Sequence, residues 1–313
     1  MEKNVFPEYK KELLSKISLE KPLKIVVDAG NGTAGAFTKE LFSEAGCEIH
    51  ELYCELDGTF PNHEANPESA ENLRDLSDKV VELGADLGIG FDGDGDRVGI
   101  VDENGKHYSA DYLLILLARD LLGRHPGEKI IFDIKTSKIA EQEIRDCGGT
   151  PIRYKTGHSF IETKMKEENS LLAGECSGHM FIGENYFGFD DAFLAALKIL
   201  EIISKSDAKF SQHFESLPKL VTTPEIKLAC PDNKKFEIVD QLVQDFDREH
   251  KTIKVDGAFV EFSDTNWGAV RCSNTTPCLT LRFEAENEEK LGEMKNIFAE
   301  KLEKHPEIDM STF

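Results

Sequence analysis

Asp92-Gly93-Asp94-Gly95-Asp96-Arg97 carries the densest chemistry in the chain. Three carboxylates at i, i+2 and i+4 cannot all stay ionised side by side without a counter-charge. A hard divalent cation with oxygen ligands meets that need, and the intervening glycines let the backbone bend around it. Arg97 can hold a ligand phosphate beside the metal. Two other readings compete, an acidic surface turn and a calcium EF-hand loop with Glu103 at loop position 12. The EF-hand fails on context: Arg97 stands where position 6 requires glycine, and strands rather than helices flank the loop.

Three further loops offer ligand-binding groups. In Gly174-Glu175-Cys176-Ser177-Gly178-His179, Glu175 and Ser177 can bind vicinal sugar hydroxyls, and His179 can donate to a phosphate or exchange a proton. In Lys155-Thr156-Gly157-His158-Ser159, a cation, hydroxyls and an imidazole on a glycine turn suit an oxyanion. In Arg271-Cys272-Ser273-Asn274-Thr275-Thr276-Pro277, one guanidinium, several hydroxyls and free backbone N–H groups make a phosphate cradle. Taken singly, each is also compatible with an ordinary loop or a self-capped turn. Gly30-Asn31-Gly32 followed by Gly35 spells the dinucleotide pattern G-x-G-x-x-G. No acidic residue closes the next strand cleanly about 20 residues on, so nucleotide binding is not the expectation.

These loops need elements to position them. Apolar spacing predicts a helix over 8–19, broken by Pro22, and a buried strand Leu23–Val27 that runs into the glycine-rich turn. A helix to Ala45, a strand Ile49–Tyr53, a polar loop over 57–67 and a helix over 69–83 follow. Leu87–Phe91 and Val98–Val101 read as strands around the aspartate loop, and a helix over 111–122 closes the unit. The same grammar returns after Gly123–Gly127: strand Lys129–Phe132, helix 137–146, strand Ile152–Tyr154, strand Leu171–Ala173 and helix 191–204. Beyond Pro218 the order changes to helix 233–249, strands Val260–Phe262, Ala269–Cys272 and Leu279–Glu284, and helix 287–304. The expected fold class is α/β, with two homologous mixed-sheet α/β domains followed by a small α+β phosphate-binding domain. The expected boundaries are a linker helix over 1–20, a metal-binding domain over 21–123, a sugar-binding domain over 124–218 and the C-terminal domain over 219–313.

Composition narrows the partners. The chain has 313 residues, enough for two or three domains at roughly 100–150 residues each. Hydrophobic residues make up 40% and charged residues 31%, a globular balance. A formal net charge of −22 argues against nucleic acid, which needs a positive surface. No apolar run approaches the roughly 20 residues of a membrane helix, and the start shows no signal-peptide core. Seven scattered cysteines without a C-x-x-C pair indicate neither a disulfide framework nor a zinc knuckle, and reduced thiols fit a cytoplasmic protein.

With these residues together, the chain resembles the α-D-phosphohexomutases, the phosphomannomutase/phosphoglucomutase family. The matching stretches are DAGNGTAG (28–35), FDGDGDRVG (91–99), KTGHS (155–159), GECSGH (174–179) and RCSNTTP (271–277). The resemblance implies Mg²⁺ held by Asp92, Asp94 and Asp96, and sugar selection by Glu175 and Ser177 with His179 beside them. It implies phosphate contacts from Arg271, Ser273, Asn274 and Thr275, with Arg97, Lys135 and His158 lining the active site. It also implies the reaction, interconversion of hexose 1- and 6-phosphates of mannose or glucose by in-line phosphoryl transfer from a phosphoserine. At Cys176, family members reading amino sugars tend to carry Gln and those reading mannose or glucose often carry Met. The family's first domain bears a T-x-S-H-N-P-type loop, and no Ser-His-Asn-Pro occurs here. The chain therefore resembles domains two to four, and self-sufficient catalysis is not expected of it. The alternative expectation is a non-catalytic Mg²⁺- and sugar-phosphate-binding fragment or subunit that needs a separate phosphoserine-bearing chain.

Overall fold

The structure, a computed structural model, describes residues 4–313. It forms two compact units. The first holds the chain up to Ile131 with Glu143–Ile152 and Glu162–Ser216, and the second holds Phe132–Gln142, Arg153–Ile161 and Leu217–Phe313.

The first unit is organised around strand Lys24–Asp28, which runs parallel to both Glu48–Leu52 and Leu87–Phe91. Leu87–Phe91 then pairs antiparallel with Val98–Asp102, and that strand with His107–Tyr108, giving a five-stranded mixed sheet. Leu87-Gly-Ile-Gly-Phe91 is buried at every residue, as a continuous apolar run requires. Its glycines admit helix Arg74–Leu83 at close range. A Cβ at Gly88 would lie 2.8 Å from Val80 Cγ2, and one at Gly90 2.6 Å from Leu73 Cδ2. Val26, Leu76, Val80 and Val101 complete that core. Helix Ala192–Ser204 is apolar nearly all round and correspondingly buried, with the Asp191 carboxylate accepting the Leu194 N–H at 2.9 Å as its cap. A four-stranded sheet takes the order Thr150–Tyr154, Lys129–Asp133, Leu172–Gly174, Met180–Ile182.

The second unit carries an antiparallel sheet running Lys251–Ile253, Ala258–Glu261, Trp267–Cys272, Cys278–Ala285, with Val221–Thr222 and Ile226–Ala229 both paired to the last of these. Helices Asp232–Asp247 and Glu288–Leu302 contribute Leu242, Phe246, Met294 and Phe298 to one core with Val270, Leu281 and Phe283. Trp267 is fully buried, stacks on Phe259 at 4.7 Å between centroids, and donates its indole N–H to the Glu284 carboxylate at 2.7 Å. This is an α/β architecture with mixed sheets and an α+β C-terminal part, as the element grammar predicts.

Several elements differ from the sequence reading. The first helix is Phe6–Leu14 and does not reach residue 19. The N–H groups of Ser18 and Glu20 are taken by the side chains of Glu201 and Ser204, so the chain leaves its helical ladder for those partners. The helix expected over 69–83 starts at Arg74, because residues 66–73 form turns in which Asn66 accepts the Glu68 N–H and Asn72 donates to the Asn66 carbonyl. Helix Ala110–Arg124 extends through Gly123 and Arg124, which shortens the expected linker. Helix His158–Glu168 and strands Met180–Ile182, Val221–Thr222, Ile226–Ala229 and Lys251–Ile253 had no clear periodic signal. The strands are two to four residues long, too short for alternation to register.

Candidate active site

In the first unit the aspartate loop springs from the end of strand Leu87–Phe91. Asp92 is buried, and its Oδ1 accepts the backbone N–H groups of Gly95, Asp96 and Arg97 at 3.0–3.1 Å. Its Oδ2 accepts Arg97 Nε–H at 2.7 Å. Burial pushes the Asp92 carboxyl above its ordinary range, against the pull of Arg97. Gly95 takes φ +81, a left-handed turn that glycine makes without strain. Asp92, Asp94 and Asp96 each offer an oxygen within 4.8 Å of the other two, an all-oxygen donor set that suits a hard divalent cation.

The glycine turn after Asp28 supports this loop. A Cβ at Gly32 would stand 2.7 Å from the Gly93 carbonyl oxygen, and the Thr33 N–H donates to that same oxygen at 3.0 Å. Asp28 accepts the Gly30 N–H at 2.8 Å and pairs with His63 Nε2 at 3.0 Å, which locks the turn from below. Gly32→Ala is therefore expected to push the two loops apart. It should cost about 1–3 kcal/mol of stability, the usual scale for overpacking, and weaken divalent-ion binding. A chemical denaturation curve and a Mg²⁺ titration check both halves.

Residues 175–179 close the hairpin between Leu172–Gly174 and Met180–Ile182. The Glu175 N–H donates to the His179 carbonyl at 2.9 Å, and Gly178 sits at φ +105, where a Cβ would lie 2.9 Å from the Val98 carbonyl. An antiparallel bridge pairs Arg97 with His179, and the Val98 N–H donates to the Gly178 carbonyl at 3.2 Å. Backbone pairing thus places Glu175, Ser177 and His179 beside the aspartates. His179 Nε2 lies 3.4 Å from Asp96, and its Nδ1 lies 3.2 Å from Glu175 and 2.9 Å from Ser177 Oγ. Burial works against the imidazolium, but the Asp96 and Glu175 carboxylates outweigh it and push His179 up to about 10. The imidazolium in turn holds Asp96 below its ordinary carboxylate range.

The second unit collects the other expected residues. Lys135 is buried and bonded to the Glu225 carboxylate. Its loop is held by arginines that sequence reasoning missed. Arg153 donates to the Ile134 and Thr136 carbonyls at 2.7 and 2.6 Å while lying against the Phe132 and Phe259 rings, and Arg282 donates to the Lys135 carbonyl at 2.8 Å. His158 is the first residue of helix His158–Glu168, so 155–159 is a loop leading into a helix N-terminus. Arg271 is 4% exposed; its Nε donates to Asp256 at 2.6 Å, while its Nη2 is buried without a hydrogen-bond partner among the described residues. Ser273 Oγ accepts the Thr275 and Thr276 N–H groups at 3.4 and 3.2 Å, and Asn274 Nδ2 donates to the Thr156 carbonyl at 3.2 Å. Buried Lys235 donates to the Ser273 and Thr276 carbonyls at 2.7 and 3.0 Å. Nothing in the local sequence around Lys235 signals that role. The thirteen expected side chains thus form two groups, seven in the first unit (Asp92, Asp94, Asp96, Arg97, Glu175, Ser177, His179) and six in the second (Lys135, His158, Arg271, Ser273, Asn274, Thr275).

Such loops on such sheets define an α/β protein built on mixed sheets, with carboxylate, hydroxyl and cationic groups gathered at the strand ends, and comparison with known proteins places it further. Models of the phosphoglucomutase/phosphomannomutase family match in series: alpha/beta/alpha domain II over residues 7–105, alpha/beta/alpha domain III over 109–221 and the C-terminal domain over 225–301. A phosphomannomutase/phosphoglucomutase of Pseudomonas putida is 45% identical over 308 residues, covering 98% of this chain and 66% of that protein. A phosphoglucomutase of Neisseria meningitidis is 42% identical over 310 residues, covering 98% of this chain and 67% of that protein. The crystal structure of a phosphoglucomutase/phosphomannomutase family protein from Burkholderia thailandensis superposes with a TM-score of 0.88 at 39% identity, covering 96% of this chain and 64% of that one. The chain belongs to the phosphoglucomutase/phosphomannomutase family. It spans about two thirds of the length of the relatives it matches.

Proposed function

We propose that this chain supplies the metal, sugar and phosphate sites of a phosphohexomutase that interconverts hexose 1- and 6-phosphates of glucose or mannose. The observation that carries the reading is the backbone bridge Arg97–His179, which sets the three-aspartate loop against a hairpin bearing Glu175 and Ser177. In this reading Asp92, Asp94 and Asp96 hold Mg²⁺, which supplies charge neutralisation at the transferring phosphoryl group. Arg97, held by Asp92 at Nε and by Glu68 at Nη1 at 3.1 Å, supplies guanidinium charge beside the phosphate. Glu175 and Ser177 accept and donate to the sugar hydroxyls. His179 carries a proton at its ring nitrogens and can donate it to an oxygen of the bound sugar phosphate. Arg271, Ser273, Asn274 and Thr275 grip the non-reacting phosphate, and that grip supplies positioning. Lys135 contributes positive charge, and His158 a ring nitrogen, at the substrate. The family membership supports a phosphoserine donor, which this reading places outside these 313 residues, on a separate phosphoserine-bearing chain or domain.

The ligands are small hexose phosphates, with neither nucleic acid nor a membrane among the partners. None of the described helices is long and apolar enough to cross a membrane. All seven cysteines are thiols, which supports a cytoplasmic setting. The domain division proposed from sequence, 1–20, 21–123, 124–218 and 219–313, remains our working division. The matched family segments meet instead between 105 and 109, ahead of helix Ala110–Arg124.

The metal half of the reading has its own test. Asp94→Asn removes one unit of ligand charge and is expected to weaken Mg²⁺ binding on the order of tenfold, while Asp92 keeps the loop in shape. Titration calorimetry decides it, and unchanged Mg²⁺ affinity returns the loop to an acidic surface turn.

A further inference from the structure

The phosphate cradle and the loop that opens helix His158–Glu168 lie on different elements, yet they share one anion. Asp256 Oδ2 accepts the Thr156 backbone N–H at 3.0 Å and Arg271 Nε–H at 2.6 Å. Asp256 is itself held at a tight turn. The next residue, Gly257, takes φ +81, and a Cβ there would lie 2.2 Å from the Val270 carbonyl oxygen and 2.9 Å from Arg271 Cα. The turn therefore presses its backbone against the strand that bears Arg271. A second link, Asn274 Nδ2 to the Thr156 carbonyl at 3.2 Å, ties the same two loops.

The Arg271 guanidinium is the telling group. A buried arginine normally spends all its N–H donors. Here Asp256 engages Nε, and Nη2 is buried with no hydrogen-bond partner among the described residues. Asp256 leaves that donor uncommitted while fixing the plane in which it lies. Resting on the phosphohexomutase reading, we propose that Asp256 is a positioning residue for the substrate phosphate. It aims Arg271 Nη2 and fixes the 155–159 loop as one preformed site for a phosphate dianion.

The proposal opposes simple electrostatics. Asp256 is a negative charge beside a site for a dianion, so Coulomb's law alone predicts that its removal tightens phosphate binding. A preorganised site predicts the reverse, because an unanchored guanidinium must be ordered again at each binding event. The two accounts differ in sign.

The experiment uses the whole 313-residue chain with Mg²⁺. Glucose 6-phosphate is titrated calorimetrically at a temperature where circular dichroism shows each variant folded. Arg271→Ala serves as the reference: if it leaves affinity unchanged, the phosphate reading of the loop falls, and this proposal with it. Given a loss in Arg271→Ala, Asp256→Ala is expected to weaken binding tenfold or more. Asp256→Asn, which keeps an acceptor oxygen at that reach, is expected to stay within threefold of the parent. Equal or tighter binding by Asp256→Ala overturns the proposal. Should Asp256→Ala be unfolded at the titration temperature, Asp256→Glu decides. It keeps the charge but shifts the carboxylate by one methylene, so a tenfold loss is expected and parental affinity overturns the proposal. A role in stability alone would lower the melting temperature of these variants and leave affinity in the folded protein unmoved.

Discussion

Assayed alone with Mg²⁺, the 313-residue chain is expected to bind glucose 1-phosphate and leave it unconverted, with turnover below detection. Phosphoryl exchange needs a nucleophile that can be reversibly phosphorylated beside the metal site. No Ser-His-Asn-Pro occurs among these residues. The candidate substitutes lie in other roles. Ser177 Oγ is engaged with His179 Nδ1 at 2.9 Å in a hairpin read as a sugar contact, and Ser109 is the N-cap of helix Ala110–Arg124, in none of the loops read as the metal, sugar or phosphate sites. Adding a polypeptide that carries the phosphorylated T-x-S-H-N-P-type loop is expected to restore conversion. Robust mutase activity from the purified chain, with mass spectrometry excluding a co-purified partner, would overturn the expectation and direct the search to a nucleophile within this sequence.

The second large effect is expected at Arg271. Arg271→Ala should cost about 1.5–3 kcal/mol in hexose-phosphate binding, the scale of a hydrogen bond to a charged group, which is roughly a ten- to 150-fold rise in Kd. The structure gives the reason. The side chain is buried, and its Nη2 has no hydrogen-bond partner among the described residues. The substitution also removes the Nε–H donor to Asp256 at 2.6 Å, so a stability loss is measured separately, and the specific damage should fall on the phosphate. Free glucose should bind the variant and the parent alike. Equal losses for sugar and sugar phosphate would make the loop a structural element whose removal harms the fold, and a thermal melt would show the same.

Much of the site could be read from single loops, because the relevant physics is local. Three carboxylates at alternate positions, separated by glycines and set at the end of an apolar strand, specify a bend and a charge problem within six residues. The helix and strand cores followed from apolar periodicity for the same reason, and Leu87–Phe91 lies where that pattern places it. Boundaries failed where a distant group took over a backbone partner. Glu201 and Ser204 accept the N–H groups of Ser18 and Glu20 across more than 180 residues, and no local propensity encodes that exchange.

What the sequence by itself determined is the chemical inventory: three closely spaced carboxylates that could hold a hard cation, a loop with Glu175, Ser177 and His179, and an arginine with several hydroxyls at 271–277. Tertiary structure alone decided which of these groups meet and in what state. The Arg97–His179 bridge joins residues far apart in the chain, and that pairing sets His179 between Asp96 and Glu175, whose carboxylates favour the imidazolium. Asp256 reaches Thr156 across 100 residues, and Lys235 reaches Ser273 from a neighbouring helix. Neither had a sequence signal, because an aspartate in a turn and a lysine in a helix are ordinary solvent-facing residues until packing removes the water around them. The physical reason is the same in each case. Residue type and spacing fix what a group can donate or accept, whereas burial and the partners brought by the fold fix what it is left free to bind.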